Sequence, residues 1–147
     1  MAIQVLIGCL VSIVNIVIHA LITVTVVSIA RRADLSLSFR RKLHVMTVMA
    51  AAAMVLLVGH LLEVAVWAGM YWTVGVAPAG TDLVDFAFVN YTTLGYGDVT
   101  PVKAWRLLGP MTAMNGVLMF GWSTAVLFEV LVKALARHEA VALSGEP

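Results

Sequence analysis

The stretch YTTLGYGDVTP at residues 91–101 places two glycines around a tyrosine in the middle of a very apolar chain. Irregular backbone at membrane depth is tolerated only where it is buried in protein or lines a watery cavity, because lipid offers no partner to a free amide or carbonyl. Glycines that adopt positive φ let successive carbonyl groups point the same way. Residues 93–97 therefore predict a carbonyl-lined strand, and rings of such carbonyls can replace the water around a dehydrated cation.

The composition indicates that the chain lies in a membrane. Hydrophobic residues make up 62% of its 147 positions and charged residues only 12%, and the mean hydropathy is +1.01. No water-soluble core of this size needs so much apolar surface. The single cysteine, Cys9, lies in an apolar run and supplies neither an intrachain disulfide nor a metal framework. We therefore predict an all-α integral membrane protein.

Three apolar stretches are long enough to cross a bilayer, which takes roughly 20 helical residues. They run from about Ala2 to Ala30, from Val45 to Trp72 and from Ala104 to Val132. The first stretch has no basic residues before it, so we expect an uncleaved anchor and not a removable signal peptide.

Basic residues predict the orientation of the three helices. Those between the first two stretches and those after the third are Arg31, Arg32, Arg40, Arg41, Lys42, Lys133 and Arg137. By the positive-inside rule, both of these segments are cytoplasmic. The N-terminus is then outside, the C-terminus is cytoplasmic, and residues 73–103 face outward. We expect a multi-pass protein of the plasma membrane.

The outward-facing segment contains a short apolar helix, predicted at 82–92. Thr81 and Asp82 provide a helix start, and the helix is too short to span, so we expect it to re-enter the membrane. Thr100 and Pro101 read as the N-cap and first position of the third long helix.

The sequence TTLGYGD at residues 92–98 resembles the potassium-channel signature, and the order of helix, loop and helix around it resembles the potassium-channel pore module. The resemblance covers about residues 45–132. It implies that potassium is coordinated by the Thr93 hydroxyl and by backbone carbonyls, those of Thr93, Leu94, Gly95 and Tyr96, with Gly97 completing the filter. It also implies a possible hinge at Gly116 and a cation-concentrating or bracing role for Asp98.

The resemblance divides the chain into four segments. These are an extra N-terminal helix at 1–30, a basic cytoplasmic loop at 31–44, a pore module at 45–133 and a short cytoplasmic tail at 134–147. Within the module we expect an outer helix at 45–72, a pore helix at 82–92, the filter at 93–97 and an inner helix at 101–133.

The chain departs from the family pattern in three places. Leu94 replaces the commoner valine, which matters little because its carbonyl faces the ion. Val89 stands where some relatives have a buried glutamate, and no tryptophan lies in the pore helix to hold Asp98. The first helix lacks the regular arginines of a voltage sensor, so we do not expect voltage gating.

One filter sequence per chain predicts a homotetramer, because a potassium filter needs four such loops. The expected partners are potassium ions, lipid and three further copies of the chain, with no nucleic acid, and the expected function requires no cofactor beyond the permeant ion. A weakly selective cation channel and a non-conducting accessory subunit are the alternatives. An enzyme is not expected, because the only cluster that suggests chemistry is His60 and Glu63.

His60 and Glu63 lie three residues apart on one face of the second long helix, and ionisable residues within a membrane span are functional candidates. Hydrogen bonds to Asn15 or His19 of the first helix would give them a structural role. An alternative partner is the end of the pore helix near Asn90, which would link Glu63 to gating or proton sensing. A metal site needs more ligands than one histidine and one glutamate supply.

Three other residues in the third long helix have two interpretations each. Glu129 forms either a carboxylate ring at the cytoplasmic mouth or an ion pair with Lys133, four residues later. Gly116 is a hinge or a packing point. For Gly121 we favour packing, because small residues in spanning helices are commonly contact sites.

Overall fold

The computed structural model describes residues 1–32 and 41–144, and the described residues are helices joined by turns without a strand. The four helices are α1 (Ala2–Arg32), α2 (Arg41–Val74), α3 (Leu83–Tyr91) and α4 (Leu108–Ser144). A short 3₁₀ turn at Lys103–Trp105 precedes α4. Most of the predicted basic loop, residues 33–40, and the end of the predicted tail, residues 145–147, lie outside the described residues.

Three helices are long and apolar enough to cross a membrane. The candidate spans are Ala2–Ala30, Leu43–Val74 and Lys103–Leu135. A helix satisfies its own backbone hydrogen bonds, which is the condition for lying in lipid. The predicted all-α architecture with three spans is therefore confirmed at this level.

The short helix α3 is fixed at both ends by local hydrogen bonds. The Asp82 carboxylate accepts the Val84 amide at 2.9 Å and the Asp85 amide at 3.1 Å, which is the usual way that an N-cap satisfies free amides. At the other end, the Thr92 amide donates to the Phe88 carbonyl at 2.9 Å. The helix thus ends at Tyr91, directly before the stretch TTLGYGD.

The last long helix begins at Leu108 and not at Pro101, so the predicted start of the inner helix is wrong. The reason is Pro110. A helix that started at Pro101 would hold Pro110 in its interior, where the ring clashes and an N–H is missing. With the observed start, Pro110 is the third helical residue, a position whose N–H has no helical partner in any case.

The turn that precedes α4 is held by other parts of the chain. The Val102 amide donates to the Val76 carbonyl at 2.8 Å. The Leu107 amide donates to the Gln4 side-chain oxygen at 3.0 Å. Since Gln4 belongs to α1, the N-terminal helix helps to position the start of α4.

The helix α1 packs against both α2 and α4. One apolar cluster lies beside the C-terminal half of α1. It contains residues from all three helices, namely Val26, Ala52, Leu56, Val126 and Val130. A larger cluster joins α2, α3 and α4 around three buried aromatic side chains, Trp67, Tyr71 and Tyr91. The first helix is therefore an integral part of the folded chain.

The end of α3 approaches α4 most closely at Gly116. A Cβ atom at this position would lie 1.9 Å from the carbonyl oxygen of Tyr91, closer than any real contact. Gly116 is therefore a packing point, where backbone meets backbone. Gly121, one turn further along, would place a Cβ in open space, so the packing interpretation of Gly121 is wrong within one chain.

We expect Gly116→Ala to lower the free energy of unfolding by at least about 1–3 kcal/mol, the typical cost of forcing a methyl group into a filled site. The matched change Gly121→Ala should leave stability unchanged or raise it by up to about 1 kcal/mol, because alanine favours a helix more than glycine does. Denaturant titration of both variants in detergent measures the difference. Equal free energies of unfolding for the two variants would contradict the close approach of α3 to α4.

Candidate functional site

The loop after α3 has an alternating backbone. Positive φ angles occur at Thr93 (61°), Gly95 (60°) and Gly97 (84°), but at neither Leu94 nor Tyr96. Alternation of left-handed and right-handed residues turns successive carbonyl groups toward one side of the strand. Thr93 is the only described residue other than glycine with positive φ, and this conformation costs an L-residue about 1–2 kcal/mol.

The side chains of this loop are exposed in the single chain. Leu94 is 56% exposed and Tyr96 is 71% exposed, although both are large and the adjacent Tyr91 is buried. The Asp98 carboxylate is also exposed, and it accepts the amide of its neighbour Val99 at 3.0 Å. One chain therefore supplies this loop without supplying the surroundings that would bury it.

Tyr91 connects this loop to a buried carboxylate. It is the last residue of α3, and its hydroxyl donates a hydrogen bond to Glu63 of α2. Both side chains are almost completely buried. A single hydrogen bond thus connects the Glu63 carboxylate to the last residue of α3.

Two histidines complete the surroundings of Glu63. His19 Nδ1 of α1 lies 2.8 Å from one carboxylate oxygen, and His60 Nδ1 lies 3.3 Å from the other. His60 Nδ1 also lies 3.0 Å from the Tyr91 hydroxyl. The structure therefore brings together three of the residues singled out in the sequence, His19, His60 and Glu63, and adds Tyr91.

Ser123 of α4 contacts the far side of both imidazole rings. Its hydroxyl lies 2.9 Å from His60 Nε2 and 3.3 Å from His19 Nε2. The buried group that contains His19, His60, Glu63, Tyr91 and Ser123 thus draws on all four helices, and we call it the polar junction. A junction that links four helices couples their relative positions through hydrogen bonds.

Asn15 forms a second polar contact between α1 and the other helices. Its side-chain amide lies 2.8 Å from the Asn115 oxygen and 3.3 Å from the Glu63 carbonyl. The Asn115 oxygen also accepts the indole N–H of Trp67 at 2.9 Å. Asn15 therefore contacts the Glu63 backbone and not its carboxylate.

Asn90 takes part in a separate group of hydrogen bonds. Its side-chain amide donates to the Tyr71 hydroxyl at 3.3 Å, and Tyr71 lies 2.6 Å from the Thr112 hydroxyl. The carboxylate of Glu63 bonds to Tyr91, the neighbour of Asn90 in sequence. The carboxylate of Glu63 thus meets the end of α3 near Asn90, the alternative partner considered in the sequence analysis, through Tyr91.

Glu129 lies away from these groups and pairs with Lys133. The carboxylate and ammonium groups are 2.7 Å apart, with side chains 52% and 42% exposed. Exposed helical pairs of this kind contribute roughly 0.3–0.5 kcal/mol. Within one chain, the ion-pair interpretation is the one observed.

Several residues of the site were not predicted from the sequence: Tyr71, Tyr91, Thr112, Asn115 and Ser123. Each has a polar group within or beside an apolar helix, which is a detectable signal because lipid penalises unpaired polar groups. Their partners lie on other helices, however, and sequence spacing does not reveal which helices meet.

Comparison with known proteins identifies the family of the chain. A family model described as "Ion channel" matches residues 43–133, a segment that begins in α2 and ends in α4. No curated protein and no solved structure matches the chain. The matched segment includes the alternating loop, α3 and most of the polar junction, whereas His19 and Asn15 lie before it.

We expect Tyr91→Phe and Glu63→Gln to have non-additive effects on stability, because the two side chains are joined by a hydrogen bond. The coupling free energy should be about 0.5–3 kcal/mol in a double-mutant cycle measured by denaturant titration. Tyr71→Phe with Glu63→Gln is the matched control, since the Tyr71 hydroxyl contacts Thr112 and Asn90 instead. Equal coupling in both cycles would contradict the specific bond between Tyr91 and Glu63.

Proposed function

Because the chain belongs to the ion channel family, we propose that it is the subunit of a potassium-selective channel, in which residues 93–97 form the selectivity filter. Four copies surround one pore and pass potassium down its electrochemical gradient. The ion needs no cofactor to cross, because the protein supplies only a favourable path.

The alternating backbone of the loop is the observation that supports this proposal most directly. Carbonyl groups of Thr93, Leu94, Gly95 and Tyr96 that point toward one side form successive oxygen rings when four strands face each other. The Thr93 hydroxyl adds one further ring. These oxygens replace the water of hydration that the ion loses on entry, and the left-handed conformation of Thr93 is an example of backbone strain at a functional position.

The exposure of the loop supports a tetramer. The loop of a single chain presents oxygen atoms to an ion from one side only, whereas a selectivity filter surrounds the ion with oxygen atoms. Leu94 and Tyr96, which are exposed in one chain, gain neighbours when the four strands assemble. The helix α4 then lines the pore, and Gly116 allows α3 to pack closely behind the filter.

The basic segments at the ends of the spans support a proposed orientation of the chain in the membrane. With residues 31–44 and the end of α4 in the cytoplasm, the filter opens outward and the N-terminus is outside. Asp98 then lies at the outer mouth, where its exposed carboxylate raises the local concentration of cations. The membrane in which the channel acts is the plasma membrane.

We expect the purified protein in liposomes to carry potassium and to exclude sodium. With potassium and sodium gradients set in opposite directions, the reversal potential should follow the potassium gradient, because the filter oxygens fit one dehydrated ion. Equal permeation of the two ions would replace the proposal by a weakly selective cation channel. Absence of any current from correctly assembled tetramers would favour the accessory subunit.

We expect Gly95→Ala to abolish potassium flux, because the methyl group opposes the left-handed conformation at a position that orients filter carbonyls. Gly75→Ala is the matched control, since Gly75 has nearly the same φ (64°) in the turn after α2. That variant should lose stability by about 1–2 kcal/mol while it retains flux in a liposome assay. Unchanged flux through the Gly95→Ala protein would show that this loop is not the filter.

A further inference from the structure

His19, His60 and Glu63 form a compact set of potential metal ligands where α1 meets α2. One ligand atom from each residue lies within 4.8 Å of the other two. His19 and Glu63 are completely buried. A buried set of two imidazoles and one carboxylate has the composition of known three-ligand zinc sites, and it differs from an exposed acidic patch, which has no fixed geometry.

Tyr91 adds a fourth oxygen to this set. Its hydroxyl contacts the Glu63 carboxylate and lies 3.0 Å from His60 Nδ1. The same nitrogen lies 3.3 Å from the carboxylate. Two nitrogens and two oxygen-bearing groups therefore converge on one small volume from α1, α2 and α3.

The contacts of Ser123 orient both imidazoles for metal binding. A hydroxyl has two acceptor positions, so Ser123 can accept an Nε2–H from both His60 and His19. In that tautomer both Nδ1 lone pairs face Glu63 and are free to bind a cation, whereas in the other tautomer the Nδ1–H groups donate to the carboxylate. A metal ion bound between these atoms selects the first tautomer, with Nε2–H of each ring directed at Ser123.

The surrounding sequence offers the carboxylate no fixed positive charge. Neither residues 43–102 nor residues 107–132 contain a lysine or an arginine, and α1 contains none before Arg31. An ionised carboxylate within a span is costly unless it is paired. The charge of Glu63 is therefore balanced at the polar junction itself.

We propose that the polar junction is a binding site for a divalent transition metal ion of the zinc class, with His19 Nδ1, His60 Nδ1 and the Glu63 carboxylate as ligands. The Tyr91 hydroxyl supplies the fourth position. Imidazole ligands favour zinc, copper, nickel and iron over magnesium and calcium, which take all-oxygen sites. Ser123 acts as the hydrogen-bond partner that orients ligating histidines.

Some of the observed distances must change for the site to hold such an ion, since His19 Nδ1 and the Glu63 carboxylate, 2.8 Å apart, must separate. Ligands about 2.0–2.2 Å from zinc in tetrahedral geometry lie roughly 3.4 Å apart, and the contacts of His60 Nδ1 with Glu63 and Tyr91 are 3.3 and 3.0 Å. The widest separation, up to 4.8 Å, must shorten. His60 can supply this movement, because its side chain is 12% exposed whereas Glu63 is completely buried.

The test uses cobalt(II), whose visible absorption reports its coordination. The protein, purified as its native oligomer in detergent and stripped with a chelator, should bind one cobalt ion per chain and show the intense bands of a four- or five-coordinate ion. Zinc should displace the cobalt, and magnesium should not. Binding is measured without current, so the result is independent of the proposed potassium selectivity.

Four variants make the test specific. His19→Gln and Glu63→Gln should weaken cobalt binding at least tenfold, and Ser123→Ala, which keeps all the ligands, should weaken it about 10- to 100-fold. His44→Gln is the control, since His44 lies on the same helix roughly 24 Å from His60, and it should bind like the unchanged protein. If the unchanged protein leaves cobalt in its weakly absorbing hydrated form, or if His19→Gln binds as tightly as His44→Gln, the metal site is disproved and hydrogen bonds alone satisfy the junction.

Discussion

A carboxylate that is removed from water within a membrane-spanning helix must find its donors in the protein, and this requirement organises the structure. Glu63 is completely buried and takes its partners from three helices: His19 from α1, His60 from its own helix and Tyr91 from α3. Removing one partner would leave a buried acceptor unsatisfied, which costs about 1–3 kcal/mol or more for a charged group. Polar contacts therefore specify the relative positions of the helices, and apolar packing alone would not specify them.

The same region explains how the irregular backbone after α3 is held in place. Tyr91 is bound through its hydroxyl to Glu63, while its carbonyl lies against the backbone of α4 at Gly116. Asn90 is bound to Tyr71. Two consecutive residues thus fix the end of α3 from different sides, directly before the strained residue Thr93. Strain of this kind persists only where the surroundings determine the conformation.

The elements could be predicted from sequence because their signals are local. Apolar length gives the three long helices, and Asp82 marks the start of α3. The start of α4 was mistaken because Pro101 has the appearance of a first helical residue, whereas Pro110 limits how early the helix can begin. The partners of Glu63 could be predicted only in part. The sequence suggested contacts with His19 of α1 and with the end of α3 near Asn90, but which residue of α3 makes the contact depends on how α3 is rotated against α2, which no local pattern encodes.

The hydrogen-bonded site includes residues that lie outside the segment matched by the family model. The family match begins at residue 43, yet α1 contributes His19 to the carboxylate, Asn15 to Asn115 and Gln4 to the amide that precedes α4. These three contacts lie on successive levels of one helix, so polar contacts join α1 to the rest of the chain from Gln4 to His19. Because one of them reaches Glu63 and hence Tyr91, a displacement of α1 changes the hydrogen bonds that hold the end of α3. The N-terminal helix is thus placed to influence the loop that follows α3 through the hydrogen bonds of Glu63 and Tyr91.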